Sequence, residues 1–291
     1  MAGLISEVGA ALRGAEPAWF ALALAVNLTA NTASKVRRWA ALLRPVARSG
    51  PQAGGFQLAK ILFASQALSN LLPARAGEAV RVVELRRHGY SVPGLLAAQL
   101  LEKVVEAASL CLGAGVAGAA AGMPPIFRVP LWSVAAIGFG LLASLAILGR
   151  LPLRSKEPSG RVGAFLAQLR DALGRAGSPA VWLHSLLWSC AADLSDAAVL
   201  GLCLHSVGVQ LGLAAWLAAL LAINLAILVP STPGHLVVME AAAGAALIAL
   251  GVPAERALAG AVLYHAVQIV PSTALGLAAL TQRWIRRRSA A

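Results

Sequence analysis

The sequence has little charge, few acids, few aromatics and few cysteines. Only 12% of its 291 residues are charged and just 12 are acidic, whereas a soluble domain is roughly 25% charged. A water-facing surface cannot be built from so few polar groups, which excludes soluble globular and disordered classes. Cys111, Cys190 and Cys203 all lie in apolar stretches, are odd in number and lack metal-ligand spacing. They exclude a disulfide scaffold and read as small buried hydrophobes. Catalytic patterns are missing as well. His88, His184, His205, His235 and His265 form no HExxH or HxxxH pair, and neither a Gly-Lys-Ser phosphate loop nor a GxSxG elbow is present. No metal, no cofactor and no enzyme activity are expected.

What is present is apolar sequence: 59% of the residues are hydrophobic and the mean hydropathy is +0.76. Since a spanning helix takes about 20 apolar residues, the chain has room for about seven to nine hydrophobic helical segments. The expected fold is an all-α, polytopic integral membrane protein, with residues 1–291 forming a single domain. A net charge of +12 and a pI near 11.1 would suggest nucleic acid in a soluble chain. Here the positive residues cluster in short segments between apolar runs, as the positive-inside rule requires, so no nucleic-acid partner is expected. Glu7, Arg13 and Glu16 interrupt the N-terminus, which argues against a signal peptide.

The first span is read at 18–34, followed by Lys35, Arg37, Arg38, Arg44 and Arg48 in a cytoplasmic loop. Further spans are read at 94–121, 131–149, 180–204, 212–229, 236–250 and 256–281. A short amphipathic helix at 161–175 is expected at the headgroups. Its loop carries Arg150, Arg154, Lys156, Arg161, Arg170 and Arg175 against Glu157 and Asp171. The tail carries Arg283, Arg286, Arg287 and Arg288. These charges place 35–55, 150–178 and the C-terminus in the cytoplasm, with 122–130 and 205–211 outside. The segments 56–90 and 212–250 must then each return to the side they start from. They are expected to be two oppositely oriented broken or re-entrant hairpins.

Those two segments share helix-breaking patterns. The first contains Asn70, Pro73, Arg75, Gly77 and Glu78; the second contains Asn224, Pro230, Thr232, Pro233, Gly234 and Glu240. Opposed broken elements point to an inverted-repeat transporter with its site near the midplane, although Pro and Gly also merely kink ordinary spans. Acids and bases inside apolar helices are expensive and normally face protein or a wet cavity. Glu102, Lys103, Glu106, Asp193, Asp196 and Glu240 are such positions, with Glu102 and Glu106 at i,i+4 and Asp193 and Asp196 at i,i+3. They are candidates for gating, ion or proton roles, or for a salt-bridge network joining helices. Arg75 and Arg81, beside a proline-broken helix, could fork onto phosphate oxygens, with Glu78 orienting them or meeting a cationic headgroup. An ordinary interfacial arginine is the competing reading.

The run NLLPARAGEAVR at 70–81, followed by Glu102-Lys103 and by PSTPGHLVVMEA at 230–241, resembles the lysylphosphatidylglycerol synthase transmembrane family, a flippase-like membrane domain. The resemblance covers roughly residues 15 to 285 and implies a stand-alone member without the aminoacyltransferase domain. It implies motif roles for Pro73, Arg75, Gly77, Glu78, Arg81, Glu102, Pro230, Pro233, Gly234 and Glu240. Two departures are visible. His235 and Val237 stand where the family usually has glycines, so the second turn is expected to be less sharp or differently tuned. Tyr264-His265 stands where a Tyr-Arg or similar basic pair is common. The implied function is flipping of a phosphate-bearing lipid, such as an aminoacylated phospholipid or polyprenyl-linked glycolipid, between leaflets of the cytoplasmic membrane. Its partners would be anionic or phosphate-bearing membrane lipids. The alternative is a non-transporting scaffold or accessory subunit for an envelope-lipid biosynthetic enzyme such as a glycosyltransferase.

Overall fold

A computed structural model describes residues 2–47, 53–72, 77–120, 123–150, 160–176, 178–227 and 232–288. Pro73, Arg75 and Pro230, together with Arg48, Arg154, Lys156 and Glu157, lie outside them. Every element among the described residues is helical: α1 (Ala2–Arg13), α2 (Pro17–Val26), α3 (Thr32–Leu43), α4 (Gly55–Leu71), α5 (Gly77–Arg86), α6 (Val92–Ala119), α7 (Pro125–Arg150), α8 (Gly160–Ala176), α9 (Pro179–Ser206), α10 (Leu213–Ala226), α11 (Val238–Ala249) and α12 (Ala254–Arg288). Starts follow local chemistry. Ser91 caps α6 by accepting from the Gly94 amide at 3.2 Å, and Ser178 caps α9 by accepting from Val181, each with a proline in the first turn. The helices α9 and α12 are apolar and long enough to cross a membrane.

One sequence expectation needs correction. The Lys35–Arg44 stretch is not a loop, because α2 passes through a π-helical turn at Asn27–Asn31 directly into α3. Good helix formers and the absence of Gly or Pro before Pro45 let the helix continue. Ahead of that long helix, α1 is an amphipathic helix that packs on α12. The amphipathic helix expected at 161–175 is α8; Ala172 is buried on its packed side, Leu166 is exposed, and Arg175 Nε donates to the Pro45 carbonyl at 3.3 Å. The two segments with helix-breaking patterns are interrupted, between α4 and α5 and between α10 and α11.

Two apolar cores hold the bundle. One gathers α9 to α12 with parts of α2, α6 and α7, including Ala23, Ala114, Leu131, Leu200, Ile223, Leu247 and Val267. The other gathers α3, α4, α5, α8 and the start of α6, including Trp39, Leu42, Ile61, Leu85, Leu95 and Leu101. Along α6 the second core ends at Leu101 and the first begins at Ala114, so the charged stretch 102–109 lies between them.

Close helix approach depends on small residues, as in other membrane bundles. A Cβ at Gly276 would collide with the Phe63 carbonyl, where α12 lies on α4. One at Gly77 would collide with the Ser65 carbonyl, where α5 folds back on α4. Gly174, in contrast, faces open space on α8. Gly276→Ala should therefore lower the thermal midpoint in detergent by the equivalent of about 1–3 kcal/mol of overpacking. Gly174→Ala should raise it, by up to about 1 kcal/mol of helix propensity. Equal shifts at the two positions would contradict the close α4–α12 contact.

Candidate functional site

The charged stretch of α6 meets α3, α5 and α9 in one polar network. Arg38 and Glu102 are 4% and 3% exposed. The Glu102 carboxylate accepts from Arg38 Nη2 at 2.9 Å, from Trp39 Nε1 at 2.9 Å and from Arg81 Nη1 at 2.8 Å. Arg38 also donates to Glu106 Oε1 at 2.6 Å and to Ser189 Oγ at 3.1 Å, and Ser109 Oγ donates to Ser189 Oγ at 2.9 Å. Arg81 lies over the Trp39 ring, 4.8 Å from its centroid, and donates to Ser65 Oγ at 3.1 Å. Adjacent helical positions, Arg38 and Trp39, thus reach the same carboxylate. Three donors on one carboxylate are what makes its burial tolerable.

From this buried centre the network runs outward. Lys103, exposed near the middle of α6, lies 3.1 Å from Glu106 and 3.4 Å from Glu78 on α5. The six ions Arg38, Arg81, Lys103, Glu78, Glu102 and Glu106 balance in charge. A partly exposed ion trio, with Lys103 and Glu106 near the middle of α6 and Glu78 in the first turn of α5, does not suit hydrocarbon, so this face of α6 suits a polar cavity. Asp193 sits one turn beyond Ser189 on α9, and its Oδ2 is buried without a partner among the described residues.

A second polar belt joins α2, α3, α9 and α12. Pro271 inside α12 has no amide hydrogen to give to the Val267 carbonyl, and Asn27 Nδ2 donates to that carbonyl at 2.8 Å instead. The buried amide therefore satisfies the group that the proline leaves free. Asp196 accepts from Gln268 Nε2 at 2.6 Å and pairs with Lys35 at 3.4 Å. Lys35, expected in a loop, is part of the helix bundle.

Both interrupted segments rest on α12. Asn70, at the end of α4, donates to Thr273 Oγ1 at 2.9 Å. Across the other break, Thr232 Oγ1 donates to the Leu236 carbonyl at 2.8 Å and closes a turn through Pro233 and Gly234. A Cβ at Gly234 would come 3.4 Å from the Asn70 carbonyl, so the two breaks approach one another. Three residues of this turn have left-handed backbone, Gly234 (φ 67°), His235 (φ 56°) and Val237 (φ 73°). The chain thus keeps a sharp turn despite non-glycine residues at 235 and 237, and a β-branched valine there is strained. His265 on α12, 3% exposed, holds this turn through both ring nitrogens: Nδ1 to Glu240 Oε1 at 2.5 Å and Nε2 to the Gly234 carbonyl at 2.9 Å.

The structure brings together Glu78, Arg81, Glu102 and Glu106, and separately Gly234 and Glu240, while Asp196 belongs to the second belt. Arg81 is engaged by Glu102 in the chain alone. Sequence reasoning missed Arg38, Trp39, Asn27, Gln268 and His265 as site residues. The spacing signal existed for Arg38, since the charges 35–38 follow an apolar span without any helix breaker.

These features define a helical membrane protein with a charge network inside its bundle. The chain belongs to the lysylphosphatidylglycerol synthase TM region family, which it matches over residues 2–276. Membership places the protein in the membrane with a lipid-related role, and the match to the membrane region of that synthase fits a non-catalytic domain. A comparison with curated protein sequences gives no match.

The strained turn gives a direct test. Val237→Gly should stabilise the protein by about 1 kcal/mol, the order of the left-handed penalty for a side chain, and raise the thermal midpoint in detergent. A lower midpoint would contradict the left-handed geometry at this position.

Proposed function

We propose that the protein flips a phosphate-bearing lipid between leaflets of the cytoplasmic membrane, with its C-terminus on the cytoplasmic side. The observation that carries this reading is the partly exposed trio of Lys103 and Glu106, near the middle of α6, with Glu78 in the first turn of α5, beside the α4–α5 break. Charges placed there suit a polar path for a headgroup through the bundle. The headgroup phosphate would be taken by Arg75 and by Arg81, the latter exchanging Glu102 for the ligand, and Glu240 with His265 would gate the opposite break. The two breaks would form the halves of an inverted repeat, each a re-entrant hairpin. A scaffold role beside an envelope-lipid enzyme is the second reading, favoured by the full engagement of Glu102 by Arg38, Trp39 and Arg81, a pattern that also suits pure structural reinforcement.

Leaflet-resolved transport in liposomes separates the two. Arg81→Lys keeps the charge but loses the fork that phosphate recognition uses, and Glu78→Gln and Glu240→Gln remove carboxylates while keeping an acceptor oxygen. With folding verified by gel filtration, each should lower the transport rate severalfold relative to wild type, whereas Arg86→Lys should not. Wild-type rates in all three, or no transport by the wild type of any phosphate-bearing lipid, would favour the scaffold.

A further inference from the structure

A second basic feature lies apart from the Glu102 network. Arg37, Ala40 and Ala41 on α3, with Arg44 just past its end, recur at helical spacing and face His184 and Trp188 on α9, and together they line a pocket of about 260 Å³. The Arg37 guanidinium lies over the Trp188 ring, 4.7 Å from its centroid, and Trp188 Nε1 donates to His184 Nε2 at 3.0 Å. Among the described residues no carboxylate stands within ion-pair distance of Arg37 or Arg44. The contrast with Arg38, one residue away and fully engaged by two carboxylates, is sharp: the same helix turns one arginine into the bundle and leaves its neighbours open.

We infer that this pocket binds the phosphate of an anionic phospholipid. The guanidinium pair supplies planar donors that match phosphate oxygens, and Ala40 and Ala41 leave room between them. The location selects a lipid over a free anion. The pocket lies in the first three turns of α9, a helix long and apolar enough to cross a membrane, so it falls near a membrane interface, where tryptophan is favoured. Leu183 and Leu187, each 61% exposed, run along the adjoining face of α9 and offer an apolar surface to acyl chains directly beside the arginines. Basic pockets between membrane helices are a known means of holding anionic headgroups. The site rests on the lipid-related role of the family but not on flipping: a scaffold would carry it equally.

Native mass spectrometry of the purified full chain tests this, with phosphatidylglycerol and phosphatidylcholine of equal chain length as probes. The wild type should retain phosphatidylglycerol severalfold over phosphatidylcholine. The double variant Arg37→Gln/Arg44→Gln should lose that preference, and Arg37→Lys/Arg44→Lys should weaken it, because charge alone does not restore the fork. Arg86→Gln, at an exposed arginine outside this pocket, should leave it unchanged, and leaflet-resolved transport by the Arg37→Gln/Arg44→Gln variant, measured separately, tells loss of this site from loss of transport. Gel filtration of each variant verifies folding, which the surface position of both arginines should preserve. Equal retention in wild type and the glutamine variant, full retention in the lysine variant, or displacement of the lipid by millimolar inorganic phosphate would each overturn the proposal.

Discussion

The Arg38–Glu102 pair is the constraint around which this bundle is organised. Both groups are almost fully removed from solvent, and neither charge could be held there alone, since isolated buried charge is prohibitive. Glu102 is stable only because Arg38, Trp39 and Arg81 all donate to it. Those donors come from α3 and α5, so one carboxylate on α6 fixes the relative position of three helices. Glycine 77 is needed for the same reason: α5 must lie close against α4 for Arg81 to reach both Ser65 and Glu102. Removing one member of a buried pair typically destabilises by about 3–5 kcal/mol, because the other is left uncompensated.

The second set of constraints acts on α12, which receives the ends of both interrupted segments. Pro271 weakens the backbone ladder of that helix, and Asn27 repairs it from the π-helical turn of the first long helix. Nearby, Gln268 holds Asp196, His265 holds Glu240 and the Gly234 carbonyl, and Thr273 accepts from Asn70. Motion at either break would be felt through this one helix. Val237, strained at φ 73°, marks the turn as a place where local stability yields to geometry.

Much of the fold was legible in the sequence because hydropathy and breakers act locally. The apolar runs set α6, α7, α9 and α12, and Gly77 and Pro233–Gly234 marked the interruptions. What was not legible depends on long-range partners. Arg38 lies between Lys35, Arg37 and Arg44 in a run that the positive-inside rule assigns to a cytoplasmic loop, and only the partners Glu102, Glu106 and Ser189 distinguish it from its neighbours. Arg81 was read as open to phosphate, but the local sequence says nothing of a carboxylate 21 residues ahead folding back onto it. His265 looked like a departure from a basic position, and its two contacts with Glu240 and Gly234 give it a polar anchoring role that no spacing rule predicts.

A double-mutant cycle on Arg38 and Glu102, read as thermal stability of the full chain in detergent or nanodiscs, tests the central claim most directly. Arg38→Met and Glu102→Leu should each destabilise strongly. If the buried pair organises the bundle, the double variant should be markedly more stable than the sum of the two losses, with a coupling of about 1–3 kcal/mol. Additive losses, or single variants no less stable than wild type, would show that the two side chains do not depend on each other and would contradict the account.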